Sequence, residues 1–514
     1  MKAKHIFMTL AATTIALSSC NGLLDIPQRG VQSFETYYQT DEEAEAAIIA
    51  CYVEVKGNEM NSVFAKNLLC DDFWAGGEKR NDNASYTSLN EYTFGVDDGT
   101  IQGLFECYYK IIYKANVVLG HVPAETDIQL RARAEAKVFR AWAHFELISM
   151  WGTPPVVDHE LSPSEYHQSN GKPEALWALV ENDLNDAINS GKLTEKANAD
   201  DKQWRITKQF AQALLGKAHL WQKEYEDAAK AFDAVIDSEL YRLYDNYEDV
   251  IAFSAKQNCE SLFESVRIAD PNNSWANFTF YHIMLHYRTS KLEAGCCAKA
   301  GLSGEGWGFL TPQKELYDEF VKLEGENGYR LNATMKTYPQ IQELGIKIKT
   351  GEKLISEGFF MWKWRSTAER TNGLDYVDDN NARWMRYAEV LLCAAEAHLM
   401  NNNVGKADEY MNMIRNRAKA APISGTTLED IQLEKRLELC GEGVRFQDML
   451  RWKIGDKMKN QGAYCPWLDS NNQVEEVVAN TDPSQYGFKE RHNLLPFPGA
   501  ETRVNPNIVQ NPGW

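Results

Sequence analysis

The stretch KQFAQALLGKAHLWQKEYEDAAKAFDAVIDS, residues 208–238, decides the fold. Apolar residues recur at helical spacing on both sides of a turn near Lys223-Glu224-Tyr225, which predicts two helices folded back on each other. Leu215, Gly216, Ala228 and Phe232 stand where such a pair must touch. Small residues let the two backbones approach, and the aromatic ring fills the gap between them. A second unit, residues 386–417, puts Ala395, His398, Ala407 and Met411 in equivalent places.

This is the spacing of a tetratricopeptide repeat, with departures. Gln212 replaces the usual tryptophan, His219 the usual tyrosine, and the closing proline is missing. Ala228 and Ala407 lie 179 residues apart (407 − 228), so a large insertion separates the units. One or two pairs cannot cover their own apolar faces, so further divergent pairs are expected among the helical stretches 104–119, 130–150 and 174–188. The expected fold is mainly α: a tetratricopeptide-like helical-repeat scaffold with a large irregular, loop-rich insert carrying short strands. Residues 20–240 form its N-terminal part, including a long loop at 71–103. Residues 241–381 form the insert, and 382–514 return to helical repeats and a tail. The insert holds Asp270-Pro271-Asn272-Asn273 and glycine-bearing stretches at 301–308, 325–328 and 345–351. Loops of that length in a compact protein usually bind something.

Lys2, Lys4 and His5 precede an apolar run, 6–17, that is too short to span a bilayer, and Leu17-Ser18-Ser19-Cys20 closes it. The pattern predicts a lipoprotein signal peptide at 1–19. Cys20 would take the diacylglycerol, and lipid rather than a protein helix would hold the chain on a membrane. The formal net charge of −19 argues against nucleic acid and anionic headgroups as partners, and is compatible with a neutral ligand. The nine cysteines after Cys20 are odd in number, share no spacing and include no C-x-x-C pair, so neither a disulfide framework nor a zinc or redox centre is expected.

Several blocks then resemble a known family. Cys20 followed by Leu24-Asp25-Ile26-Pro27 is similar to the start of the SusD/RagB family of outer-membrane glycan-binding lipoproteins. Gly306-Trp307-Gly308-Phe309 with Pro312 and Leu316-Tyr317 looks like its mid-chain signature. Arg386-Tyr387-Ala388-Glu389 through Ala395-Glu396-Ala397, Glu434 to Asp448 with Arg451-Trp452, and the tail from Leu494-Leu495-Pro496-Phe497-Pro498 to Gly513-Trp514 continue the pattern in order. The resemblance implies about four helix pairs and an irregular face that holds a glycan at the cell surface. It also implies a lid role on a SusC-like TonB-dependent transporter in the outer membrane. Cys393, Cys440 and Gln447 depart from the family's more frequent residues.

Sugar rings present patches of C–H bonds that stack on aromatic faces, while polar side chains read the hydroxyls. Such a site needs aromatics in loops, and Trp74 and Trp275 both stand in polar, loop-like sequence. They are expected to share an exposed platform. Asp72, Arg80, Asn81, Asn83, Asn273 and Arg288 are candidate hydrogen-bonding partners, and Tyr281, Tyr287 and Trp364 candidate additional rings. Trp307 is read as fold support. His282 and His286 share a helical face, but no third ligand follows at metal spacing, so no metal is expected and no cofactor either. Several tryptophans on a long flat platform point to a plant β-glucan such as xyloglucan, with starch-like and fructan ligands left open.

Enzyme signatures are thin. Asp71 with Asp72 and Glu324 with Glu326 are paired carboxylates, yet a glycosidase needs two carboxyls across one cleft, which loop neighbours rarely give. Glu438, Glu442, Arg445, Asp448 and Arg451 read as an ion-pair network locking two helices. No G-x-S-x-G, P-loop or H-E-x-x-H occurs. The reading is a non-enzymatic glycan-capturing lipoprotein. Its rivals are an envelope scaffold that binds protein only, favoured if Trp74 and Trp275 are buried, and a polysaccharide-degrading lipoprotein.

Overall fold

The computed structural model describes residues 37–267, 279–367 and 380–514. Its scaffold helices are α1 (Asp41–Gly57), α2 (Gly99–His121), α3 (Asp127–Trp151), α4 (Pro173–Asn189), α5 (Lys208–Gln222), α6 (Tyr225–Ile236), α7 (Tyr387–Met400), α8 (Val404–Arg417), α9 (Leu428–Glu438) and α10 (Arg445–Trp452). From α1 to α8 each helix packs on the next, which makes four consecutive pairs. Threonine side chains open α1, α3, α5 and α9 by accepting a backbone N–H of the first turn, from Thr40, Thr126, Thr207 and Thr427 respectively. Among the described residues no helix is long and apolar enough to cross a membrane.

The α5–α6 contact has the form its sequence requires. A Cβ added to Gly216 would lie 2.8 Å from the Phe232 ring, so only glycine lets that ring seat between the helices. The two repeat units meet although 179 residues separate Ala228 from Ala407. Asp233 of α6 accepts the Tyr410 hydroxyl of α8 at 2.8 Å and lies 3.0 Å from His398 Nε2 of α7.

The strands are short: β1 (Phe73–Gly76), β2 (Ser261–Ser265), β3 (Phe309–Pro312), β4 (Met335–Thr337), β5 (Lys353–Ile355), β6 (Phe359–Met361), β7 (Ala382–Arg386), β8 (Tyr464–Asp469) and β9 (Val474–Val478). β2 pairs with β7, so the two ends of the insert are stapled side by side at its base. β1 pairs with β3, β4 with β6, and β5 joins the β8–β9 hairpin. The irregular face is therefore built from three separate parts of the chain: the insert, the loop after α1, and a C-terminal hairpin that the sequence reading did not separate from the tail.

A buried ionic cluster fastens this face to the scaffold. Glu438 of α9 meets Arg330 at 3.2 Å, Arg386 at 2.8 Å, and Arg417. Glu442 takes Arg386 at 2.7 Å and Lys363 at 2.5 Å. The charged set read from the sequence is thus an ion-pair network, but most of its partners are long-range. Arg330 and Lys363 come from the insert, Arg445 pairs with Asp71 at 2.9 Å, and Arg451 reaches Glu396 on α7. Only Asp448 with Arg451, at 3.1 Å, is a neighbour at helical spacing.

Two histidines set an acid limit. Burial holds His144 of α3 down to about 4, and burial with the nearby Arg491 charge holds His492 down to about 3. Both are neutral in the folded chain, whereas an unfolded histidine takes a proton near 6.5. Between those values the unfolded chain binds more protons, so stability falls as pH is lowered through that window. The melting temperature should therefore drop between pH 6.5 and about 4, as scanning calorimetry across buffers would read. Burial pushes the Glu135 carboxyl up to about 8, which acts in the opposite direction. The histidines' share is therefore read as the difference between this profile and that of a His144→Gln, His492→Gln variant. Identical slopes would contradict the burial of these rings. Below that window, Glu438 and Glu442 extend the loss. Burial works against their charge, but the guanidiniums of Arg417, Arg386 and Arg330 at Glu438, and Arg386 with Lys363 at Glu442, hold both carboxyls below the ordinary range.

Candidate functional site

The face that answers to the expected glycan site is organised around β1. Gly76 and Gly77 turn the chain with φ of 73° and 90°, and Gly77 N–H donates to Gly308 O at 2.7 Å. A Cβ on Gly76 would fall 2.2 Å from that same oxygen, so the crossing admits only glycine. The following loop curls on itself, with Asp82 accepting the Glu78 N–H at 2.9 Å.

Trp74 does not form an exposed platform. As a β1 residue opposite Thr311 it is 7% exposed, and its Nε1–H donates to Glu357 Oε2 at 3.0 Å. It forms a small cluster with Ile355 and Cys465, apart from the main core, and the Tyr464 ring lies 5.0 Å away. Glu357 also accepts the Tyr464 hydroxyl at 3.1 Å. Burial and that carboxylate push the Tyr464 hydroxyl up, so it remains a neutral donor. This cluster borders a small cleft whose lining includes Arg80. Arg80 grips Glu91 through two 2.7 Å hydrogen bonds and keeps a third of its side chain exposed.

Beside β1 a small cavity is lined by Gly77, Tyr287, Arg288, Gly308 and Thr311. Tyr287 is buried with its ring edge-on to Phe360 at 5.1 Å. The hydroxyls of Tyr287 and Thr311 are both buried and without a hydrogen-bond partner. Two orphaned hydroxyls at one cavity fit an ordered water or a ligand hydroxyl, since an unmade buried hydrogen bond is costly. Arg288 pairs with Glu78, donates to Ser290 Oγ at 3.1 Å and reaches the Trp307 carbonyl oxygen at 3.4 Å. Trp307 itself is half-buried and stacks on Phe280, with ring centres 5.5 Å apart and planes at 24°. It is thus a partly exposed ring beside Arg288 as well as fold support.

The remaining expectations divide. Asp72 is 1% exposed and holds Arg436 Nε at 2.7 Å, so it is committed to the core, as is Asp71 beneath Arg445. Neither acid faces a cleft. Asn83 caps the helix Ala84–Glu91 by accepting Tyr86 N–H at 3.2 Å, and Asn81 takes a left-handed turn conformation, φ 66°. Both therefore serve the loop's shape. Tyr281 is 2% exposed and donates to Gly441 O at 3.2 Å. Trp364 is 5% exposed and sits edge-on to Tyr281 at 5.2 Å. Two residues earlier, Trp362 is instead a partly exposed ring, flanked by Lys336 and Arg365 at 4.6 and 4.4 Å. Trp275, Asn273 and Cys20 lie outside the described residues. Sequence reasoning missed Tyr464, Trp467 and Glu357. The alternation around Tyr464 and Val474, with Asp469-Ser470-Asn471-Asn472-Gln473 between, was a legible hairpin signal for the first two.

A helical-repeat scaffold that presents an irregular face with aromatic rings, paired charges and orphaned hydroxyls defines a binding protein. Comparison with known proteins gives its family. Residues 259–514 match the profile described as the SusD family, and residues 35–220 match one described as starch-binding associating with outer membrane. SusD-like protein P2 of Formosa agariphila is 23% identical over 99% of this chain and 100% of its own length. A SusD-like protein of Bacteroides ovatus is 25% identical over 90% of this chain and 84% of its own. Among solved structures, a laminarin binding SusD-like protein superposes with a TM-score of 0.76 at 27% identity, covering 93% of this chain and all of that one. Surface glycan-binding protein A from Bacteroides thetaiotaomicron, in complex with laminarihexaose, gives 0.71 at 21% identity, covering 92% and 99%. The chain belongs to the SusD/RagB family, whose members bind glycans.

Proposed function

We propose that this protein captures a β-glucan oligosaccharide at the cell surface and passes it to a SusC-like TonB-dependent transporter, held in the outer membrane by lipid on Cys20. The observation that carries the ligand class is the likeness, at 27% identity over nearly the whole chain, to a protein named for laminarin binding. It favours a laminarin-type glucan over xyloglucan. The flat tryptophan platform that pointed to xyloglucan is without Trp74 and Trp364, both buried. Trp307, Tyr464 and Trp467 are the partly exposed rings that remain available to a glycan near β1.

Affinity electrophoresis in gels containing laminarin, xyloglucan, starch or inulin tests the assignment. Retardation strongest in laminarin is expected. Retardation by starch or inulin alone would overturn the β-glucan reading, and none in any gel would favour a protein-binding scaffold. Co-purification of an outer-membrane barrel from native membranes tests the transporter. Cys20→Ala should release the chain from membranes washed in high salt and lacking that barrel. Retention of the variant there would show that lipid is not the anchor.

A further inference from the structure

His219 lies in the last turn of α5, where the repeat ordinarily carries a tyrosine, and glycan capture gives it no task. Its Nδ1 lies 2.6 Å from Glu224 Oε2, at the turn into α6. Glu181, from α4, joins them: one ligating atom from each of the three lies within 4.8 Å of the others. Gln222 donates to Glu181 Oε1 at 2.6 Å and so orients that carboxylate, as an outer-shell partner does at a metal site. The two acids come from different elements and converge with the imidazole on one point.

We propose that Glu181, His219 and Glu224 form a three-ligand zinc site that ties α4 to the α5–α6 turn. One imidazole and two carboxylates are a donor set zinc accepts, with water completing four-coordination. Calcium takes six or more oxygens, and these three side chains offer too few. Zinc bonds of about 2.0–2.2 Å place neighbouring ligand atoms about 3.3 Å apart. The His219–Glu224 contact need open by less than about 1 Å, which the Glu224 side chain, 46% exposed, permits. The two carboxylates bring negative charge that a divalent cation balances.

Titration of the purified chain with ZnCl2 by calorimetry, and with CoCl2 by visible absorption, tests this. One saturable ion per chain is expected, with the intense visible bands of four-coordinate cobalt. His219→Ala should weaken zinc binding about tenfold or more and abolish the bands. Glu224→Gln, at an exposed position that leaves folding intact, should weaken it too. His159→Ala, which removes the imidazole between Asp158 and Glu165 at 2.6 and 3.2 Å, should change neither. Absence of saturable zinc binding, binding unaltered in Glu224→Gln, or loss confined to His159→Ala would each overturn the site.

Discussion

Glu438→Ala is expected to destabilise the protein by about 3–5 kcal/mol, the cost of leaving buried charge without its partner. The Glu438 carboxylate is fully buried and answers three guanidiniums, of Arg330, Arg386 and Arg417. Without it Arg330 keeps Glu324 and Glu434, and Arg386 keeps Glu260 and Glu442, so each pair survives with one neighbour too few. Because Arg330 belongs to the insert and Glu438 to α9, the insert should loosen from the scaffold first. Urea unfolding would read a lowered midpoint, and amide exchange would show early opening around Tyr329–Thr334. A shift below about 1 kcal/mol would mean that the cluster tolerates the missing charge, contrary to its burial.

The second large effect separates ligand contact from fold support. Trp307→Ala should weaken oligosaccharide binding at least tenfold, about 1.4 kcal/mol, with a much smaller fall in melting temperature than a fully buried ring would give, since its ring is partly exposed while it packs on Phe280 and the edge of the main core. Trp74→Ala should behave in the opposite way. Truncating that buried ring empties the cluster with Ile355 and Cys465 and removes one of the donors to Glu357, at a cost of about 3–5 kcal/mol in stability. Titration calorimetry against a laminarin oligosaccharide and thermal melts on both variants give the comparison. Full affinity in Trp307→Ala would remove Trp307 from the site.

The scaffold was legible because its decisive contacts are local. Gly216 meets Phe232 only sixteen residues on, and threonine caps lie beside the helices they start. The site was less legible because its contacts are not. Trp74 followed by two glycines reads as a loop, and its strand partner Thr311 and hydrogen-bond partner Glu357 lie 237 and 283 positions downstream. Asp72 and Tyr281 were chosen for chemistry that suits a sugar, but the same chemistry satisfies Arg436 and Gly441 in the core. Arg80, Tyr287 and Arg288 were chosen on equal grounds and do border the clefts beside β1. Residue type alone did not distinguish the two groups.

The β2–β7 staple bears on how such a protein can diversify. Since Ser265 and Ala382 are paired neighbours, the helices experience everything between them as one closed hairpin, whatever its length. Its contents can drift toward a new ligand while the repeat stack is inherited unchanged. The freedom has a limit, because β3 and β5 must still match β1 and β8, which are encoded outside. A transplant of residues 266–381 alone would arrive with mismatched edges. The heritable cassette is the insert together with Phe73–Gly76 and the hairpin that begins at Tyr464.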